Sequence, residues 1–215
     1  ATDIATSSAC ADAKVVTVSD IQDTTAANHP AKDTEVKVTG IVTAVDQNPS
    51  STSNKFTGFY IQEEGTGGPY KGLYVFHSWL DTDTIKPPAV GTKVEVTGIY
   101  TEYYDLSEIK NVTEIKDLGA GTVPDAITVT AADIQLTGDY QKYEGVLVKV
   151  ENVTVKELVQ NTDKSKTYGF KATDGFEVKN DLFDFVGSTP PAANDTYTSI
   201  TGVLHMYKDA PQIIV

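Results

Sequence analysis

Along much of its length this chain alternates polar and apolar residues with a period of two. Glu35-Val36-Lys37-Val38-Thr39 alternates and runs on through Ile41, Val42 and Val45. Thr92-Lys93-Val94-Glu95-Val96-Thr97 alternates again, as does Gly145-Val146-Leu147-Val148-Lys149-Val150-Glu151, which continues to Val153 and Val155. Successive side chains of an extended strand point to opposite faces, so the pattern wets one face and buries the other. Phe59-Tyr60-Ile61-Gln62 and Leu73-Tyr74-Val75-Phe76 are aromatic, β-favouring runs. Turn chemistry separates the runs: Gln47-Asn48-Pro49-Ser50, Gly65-Thr66-Gly67-Gly68-Pro69, Lys86-Pro87-Pro88 and Thr189-Pro190-Pro191. Helical signal is confined to single capped turns at Val18-Ser19-Asp20-Ile21-Gln22 and Thr130-Ala131-Ala132-Asp133-Ile134-Gln135. The expectation is an all-β chain, built as sandwich or barrel.

The chain also repeats itself. Thr17-Val18-Ser19-Asp20-Ile21-Gln22 recurs as Thr130-Ala131-Ala132-Asp133-Ile134-Gln135, and Thr97-Gly98-Ile99-Tyr100 recurs as Thr201-Gly202-Val203-Leu204. A long alternating strand pair follows each opener. This predicts two β units, 17–125 and 126–215, after an N-terminal extension, 1–16. The segment Leu118-Gly119-Ala120-Gly121-Thr122-Val123-Pro124-Asp125 is the link. Gly40, Gly98 and Gly202 each follow a Thr inside a strand. Glycine weakens a strand interior and marks a bulge or sharp bend, which a small closed barrel needs. Each unit has room for five strands, so the fold expected is two tandem OB-fold-like, five-stranded Greek-key barrels.

Four stretches of the first unit look familiar in order. They are Val36-Lys37-Val38-Thr39-Gly40-Ile41-Val42, Thr57-Gly58-Phe59-Tyr60-Ile61-Gln62-Glu63, Tyr70-Lys71-Gly72-Leu73-Tyr74-Val75-Phe76 and Val90-Gly91-Thr92-Lys93-Val94-Glu95-Val96-Thr97-Gly98. This succession resembles the OB-fold module attached to secreted bacterial nucleases, and tandem-OB surface lipoproteins. Tyr103-Tyr104-Asp105-Leu106-Ser107-Glu108-Ile109 continues it. The second unit, from Tyr143-Glu144-Gly145-Val146-Leu147-Val148 to Ser199-Ile200-Thr201-Gly202-Val203-Leu204, resembles the second barrel of those lipoproteins. The resemblance implies an OB-fold, export to the bacterial surface or beyond, and nucleic acid among the possible partners. It implies no activity, because in those nucleases the chemistry sits in a separate catalytic domain.

Charge argues against the nucleic-acid part. The 17 basic residues are all lysine, against 30 acids, for a net charge of −13. Both units are acidic, with 9 Lys against 18 acids in 1–125 and 8 against 12 in 126–215. Phosphate binding draws on a positive surface, and arginine is its usual reader. The start, Ala1-Thr2-Asp3, fits a processed exported chain, and a single cysteine, Cys10, allows no intrachain disulfide. No apolar run approaches the ~18 residues of a membrane span.

Motifs for chemistry are missing. His77 with Asp81 and Asp83 is a loose polar group after a strand, not zinc-ligand spacing. Asn161-Thr162-Asp163-Lys164-Ser165 has alternating oxygens, but Lys166 and Ala172 stand where a calcium loop needs Gly and Glu. Gly65–Gly72 lacks the Gly-Lys-Ser/Thr ending of a phosphate loop. No catalytic residue, metal or cofactor is expected. Aromatics are the better lead, since OB barrels bind polymers across their middle strands and flanking loops. The candidate ligand-binding set is Tyr60, Tyr74, Phe76, His77, Trp79, Tyr103 and Tyr104. Alternation sets Tyr60 opposite Phe59 and Ile61, and Tyr74 opposite Leu73 and Val75. The outward set either binds a ligand, or packs under loops or against the second unit. A second candidate surface is Lys14-Val15-Val16-Thr17-Val18, able to add as a strand to another copy. The function expected is an exported, non-catalytic binding module holding a glycan, a single strand of nucleic acid or a protein. The alternative is a self-associating structural subunit.

Overall fold

The alternating runs become long strands in the computed structural model, which describes residues 12–47, 56–77, 87–182, 190–208 and 210–215. The first half contains β1 (Lys14–Val16), helix α1 (Val18–Gln22), β2 (Glu35–Gln47), β3 (Phe56–Gln62), β4 (Gly72–Phe76), β5 (Thr92–Tyr103) and β6 (Leu106–Ala120). The second contains β7 (Ile127–Thr128), β8 (Leu147–Gln160), β9 (Thr167–Ala172), β10 (Glu177–Lys179), β11 (Thr196–Tyr207) and β12 (Ala210–Ile214), with a 3₁₀ turn at Tyr140–Tyr143 before β8.

Both halves close in the same order. The first barrel runs β2-β3-β4-β6-β5 and back to β2, with β4 and β6 parallel. The second runs β8-β9-β10-β12-β11 and back to β8, with β10 and β12 parallel. These are two five-stranded OB-type barrels. Closure is made at the glycines singled out from sequence: Val36 faces Gly98 in one barrel and Val148 faces Gly202 in the other. Gly98 sits inside a register shift between Thr97 and Ile99, the bulge that lets β5 turn from β2 toward β6.

The repeated opener is a plug. Thr17 and Asp20 form a capping box, with Asp20 N donating to Thr17 Oγ1 and Thr17 N donating to Asp20 Oδ2. Thr130 and Asp133 exchange the same pair of bonds. Each turn drives one isoleucine, Ile21 or Ile134, into its core with no exposure. Burial of that kind stabilises by about 2 kcal/mol per side chain. Ahead of each plug a short strand lies parallel to the first barrel strand: β1 beside β2, and β7 beside β8. The segment Lys14–Val16, placed in the extension by the sequence reading, is therefore laid against its own barrel.

Core composition shows where the outward aromatics go. Phe59, Ile61, Leu73 and Val75 fill the first barrel with Val36, Val94 and Ile109. Tyr60 and Tyr74 point the other way and join the second barrel's cluster, with Phe170, Val148 and Leu204. The barrels are thus packed together. At the centre of the joint the backbones of Gly72 and Gly145 touch, and a Cβ added to Gly72 would lie 2.0 Å from Gly145 C. Tyr70 N donates to Lys142 O beside them, and Leu147 N donates to Gln62 Oε1.

Gly72→Ala is expected to destabilise the whole chain by about 2–3 kcal/mol, because neither backbone has room to yield. Gly68→Ala, whose Cβ would meet nothing closer than 3.7 Å, is the control and should change stability by less than about 1 kcal/mol. Urea unfolding of both variants measures the difference.

Candidate functional site

The joint takes up two of the seven predicted site residues. Tyr60 and Tyr74 are almost fully buried, with ring centroids 4.8 Å apart. His205 of β11 stands edge-on to both. The Tyr60 hydroxyl is hydrogen-bonded to His205 Nδ1 at 2.8 Å, and the Tyr74 hydroxyl donates to Asp46 Oδ2 at 2.7 Å. The second barrel therefore covers these rings, the packing alternative left open by alternation. Phe76 is 42% exposed and His77 partly so, at the far end of β4. The register Tyr74↔Glu108 and Val75↔Ile109 carries both away from the β5–β6 turn. Trp79 lies outside the described residues, as do Asp81 and Asp83.

Tyr103 and Tyr104 are different. They are 54% and 49% exposed, at the tight turn from β5 to β6. Tyr103 pairs with Leu106, and the two residues between them, Tyr104 and Asp105, have φ of 49° and 60°. Two successive left-handed residues make a type I′ hairpin, a turn that favours Asn-Gly. Asp tolerates that conformation; a tyrosine there stores about 1 kcal/mol of strain. The turn from β11 to β12 is as short, with Tyr207 paired to Ala210 and Lys208 at φ 50°.

The joint brings these two turns together. Tyr104 and Tyr207 have centroids 5.7 Å apart, and Tyr103 lies 4.6 Å from Tyr104 on its other side. Lys208 Nζ sits 5.0 Å from the Tyr207 centroid and 6.0 Å from that of Tyr104, within cation–π range. Sequence reading found Tyr103 and Tyr104 but not Tyr207 and Lys208 as their partners. The signal was present: the spacing that relates Gly98 to Gly202, carried on along the strand, relates Tyr103 to Tyr207 and Tyr104 to Lys208.

The β5–β6 turn also forms one wall of a cleft between the barrels, about 380 Å³ in volume, with Glu102, Asp105, Gln141, Lys142 and Glu144 among its lining. Glu102 accepts from Tyr100 OH at 2.5 Å and Ser107 Oγ at 2.7 Å. Glu144, buried, accepts from Ser107 N at 2.6 Å and Gln22 Nε2 at 3.4 Å. Lys142 pairs with Asp139 on the rim. The cleft thus offers carboxylates, amides and one ammonium to a polar ligand. Among the described residues no three His, Cys, Asp or Glu side chains come together as metal ligands. The Asn161–Ser165 oxygens are spent on the turn itself: Asp163 Oδ1 accepts from Ser165, and Asn161 Oδ1 from Lys166 N.

The other candidate surface, Lys14 to Val18, is tied to its own barrel. Val16 and Val18 are buried, and Val15 is 72% exposed. Lys14 Nζ donates to Asn28 O, and Asn28 Nδ2 returns a bond to Val15 O. The outer edge of β1 is thus partly covered, and strand addition there would require Asn28 to release Val15 O.

No family model matches this chain, and no curated protein matches it either.

Burial shifts the titration of the joint. It pushes the Glu108 carboxyl up to about 7, Lys110 pulling it down and Glu102 adding to the rise. Burial, with Asp46 nearby, lifts Asp181 to about 6, and burial holds Glu144 well above the usual carboxylate range. The His205 imidazole is pushed down to about 4 by burial alone. Raised carboxyls favour the fold at low pH and lose that contribution as pH climbs through their folded values. His205 acts oppositely, but its contribution is complete above about pH 6.5. The carboxyl contribution should therefore be lost as pH rises from about 4, the ordinary carboxyl range, to about 7, the folded values of Asp181 and Glu108, with His205 offsetting part of the loss below about pH 6.5. Glu108→Gln should flatten that slope, as followed by thermal unfolding across the range.

Proposed function

We propose that this chain is an exported, non-catalytic module that holds a glycan at the paired hairpin turns of its two barrels. The observation that carries the reading is the exposed cluster of Tyr103, Tyr104, Tyr207 and Lys208, contributed by equivalent turns and assembled only because the barrels are joined. Aromatic rings projecting from barrel loops suit stacking on sugar rings, whose apolar faces match them. The neighbouring cleft suits hydroxyl groups, which donate to Glu102 and Asp105 and accept from Lys142. A nucleic-acid strand fits less well. Its phosphates would approach a chain of net charge −13 with one lysine in the cluster and two carboxylates on the adjoining wall. Strain at Tyr104 supports a working role, since a sequence serving the turn alone would place Asn or Gly there.

Titration of the protein with a panel of soluble neutral and amino-sugar oligosaccharides, followed by calorimetry, tests the reading. Tyr104→Asn should weaken binding about tenfold or more, the loss of one stacking ring. The same change should leave stability unchanged or raise it by up to about 1 kcal/mol, because Asn accepts the left-handed backbone. The proposal fails if no glycan of the panel binds at millimolar concentration, or if Tyr104→Asn and Tyr207→Ala leave binding intact.

A further inference from the structure

The face of the first barrel on which the second barrel sits has an equivalent on the second barrel. The strand registers fix the correspondence. Tyr60 and Tyr74 face each other on β3 and β4, and Lys171 and Glu177 face each other at the same places on β9 and β10. Gly72 corresponds to Gly175, and Gln22 to Gln135. The docking segment has its counterpart too. Gly145 N donates to Leu204 O and Leu204 N to Val146 O, just as Asp33 N donates to Tyr100 O and Tyr100 N to Thr34 O. Gly145 and Asp33 share a left-handed backbone, with φ of 71° and 65°. So Lys32-Asp33-Thr34-Glu35, which opens the first barrel, is the equivalent of Glu144-Gly145-Val146-Leu147, which docks the second.

On the first barrel the place that receives this segment is filled. On the second it is a groove of about 350 Å³, lined by Gln135, Lys156, Lys171, Gly175, Glu177 and Pro211 among others. We propose that this groove receives Lys32–Glu35 of another copy of the same chain, repeating between molecules the joint already made within one.

Charge complementarity selects that occupant. Within the chain, Glu144 is held by Ser107 N and by Gln22, which also bonds Gly72 O, so it lies on the β4–β6 side. Leu147 lies over Gln62 on β3. The same placement on the second barrel sets Lys32 over Gly175 and Pro211, beside Glu177. It sets Glu35 over Thr173, beside Lys171 and Lys156. It also brings Lys208 against Tyr103 of the neighbouring copy, where Tyr207 meets Tyr104 within the chain. Opposite charges therefore stand where the permanent joint has tyrosines and glycines. Asp33 carries a side chain that Gly145 lacks, so the backbones stand farther apart and ion pairs replace backbone contact. In the free chain Lys171 pairs with Glu157 at 3.0 Å, both about half exposed, a pair that is readily traded. The two faces differ, so the contact is head-to-tail and propagates into an open chain or a ring.

The test is sedimentation equilibrium of the whole chain from micromolar to millimolar concentration, at low and high salt. Reversible association at low salt that weakens at high salt is expected, as exposed ion pairs are screened. Lys171→Glu and Glu35→Lys should each weaken it about tenfold. The double variant, whose net charge equals that of the parent, should recover most of the loss. A chain that stays monomeric at millimolar concentration in low salt overturns the proposal. So does association that neither single variant weakens, or that the double variant fails to restore. The contact and the glycan cluster share Tyr103 and Lys208, so glycan is titrated at concentrations where the chain is monomeric, and neither result then decides the other.

Discussion

The contact between Gly72 and Gly145 sets the position of everything else. It brings two backbones so close that neither position can carry a side chain. Around it, Tyr60 and Tyr74 leave solvent and enter the second barrel's core. That core is then continuous across the joint. The barrels do not hang on a linker as independent beads; the aromatic face of one is an interior wall for the other. Domains joined through a polar interface move by default, and here buried rings and backbone contact join the barrels as well as hydrogen bonds. The two hairpin turns consequently meet in a fixed relation, and the Tyr104–Tyr207 contact depends on the glycine contact.

Comparison of the two barrels separates what the fold needs from what position in the chain needs. Phe59 and Phe170 occupy the same interior place, as do Val75 and Val178. Those places are inside either barrel, and the residues remain apolar. The outward pair between them differs. It is Tyr60 with Tyr74 where a barrel covers it, and half-exposed Lys171 with Glu177, largely enclosed and paired with Lys179, on the second barrel. Repeat proteins show the same logic, with polar surfaces on terminal units. Charges on such a face suit contact with water, and under the proposed head-to-tail contact they supply the weak, salt-sensitive pairing with a second copy.

Much of this was legible in the residues. Period two revealed the strands, and Thr-x-x-Asp-Ile-Gln revealed both plugs, because a cap and a buried isoleucine are local requirements. The Thr-Gly pairs marked barrel closure because a bulge is also local. Alternation told which face Tyr60 and Tyr74 occupy. It could not tell what covers that face, since the covering group, His205, is 145 residues away from Tyr60. The pairing of β1 with β2 was hidden for a related reason: three residues carry too little pattern to reveal a parallel partner. Tyr207 and Lys208 were visible only through the repeat, and only when its spacing was followed past the glycine to the end of the strand.

The absence of arginine gives the joint its chemistry. A buried carboxylate is commonly held by a guanidinium fork, which keeps it ionised at any ordinary pH. Here Glu144 is held by an amide and a backbone N–H, Asp46 by two hydroxyls, and Glu102 by two more. Neutral donors of this kind offset part of the desolvation of a carboxylate but not all of it, so at Glu144 and Asp46 burial prevails and the proton is retained to higher pH. The exposed turns are unaffected by that balance. Tyr103, Tyr104 and Tyr207 sit beyond it, arranged by a joint whose charge state moves with pH. In this acidic chain without arginine, the carboxyls whose titration burial raises are thus gathered at the contact that assembles the exposed turns.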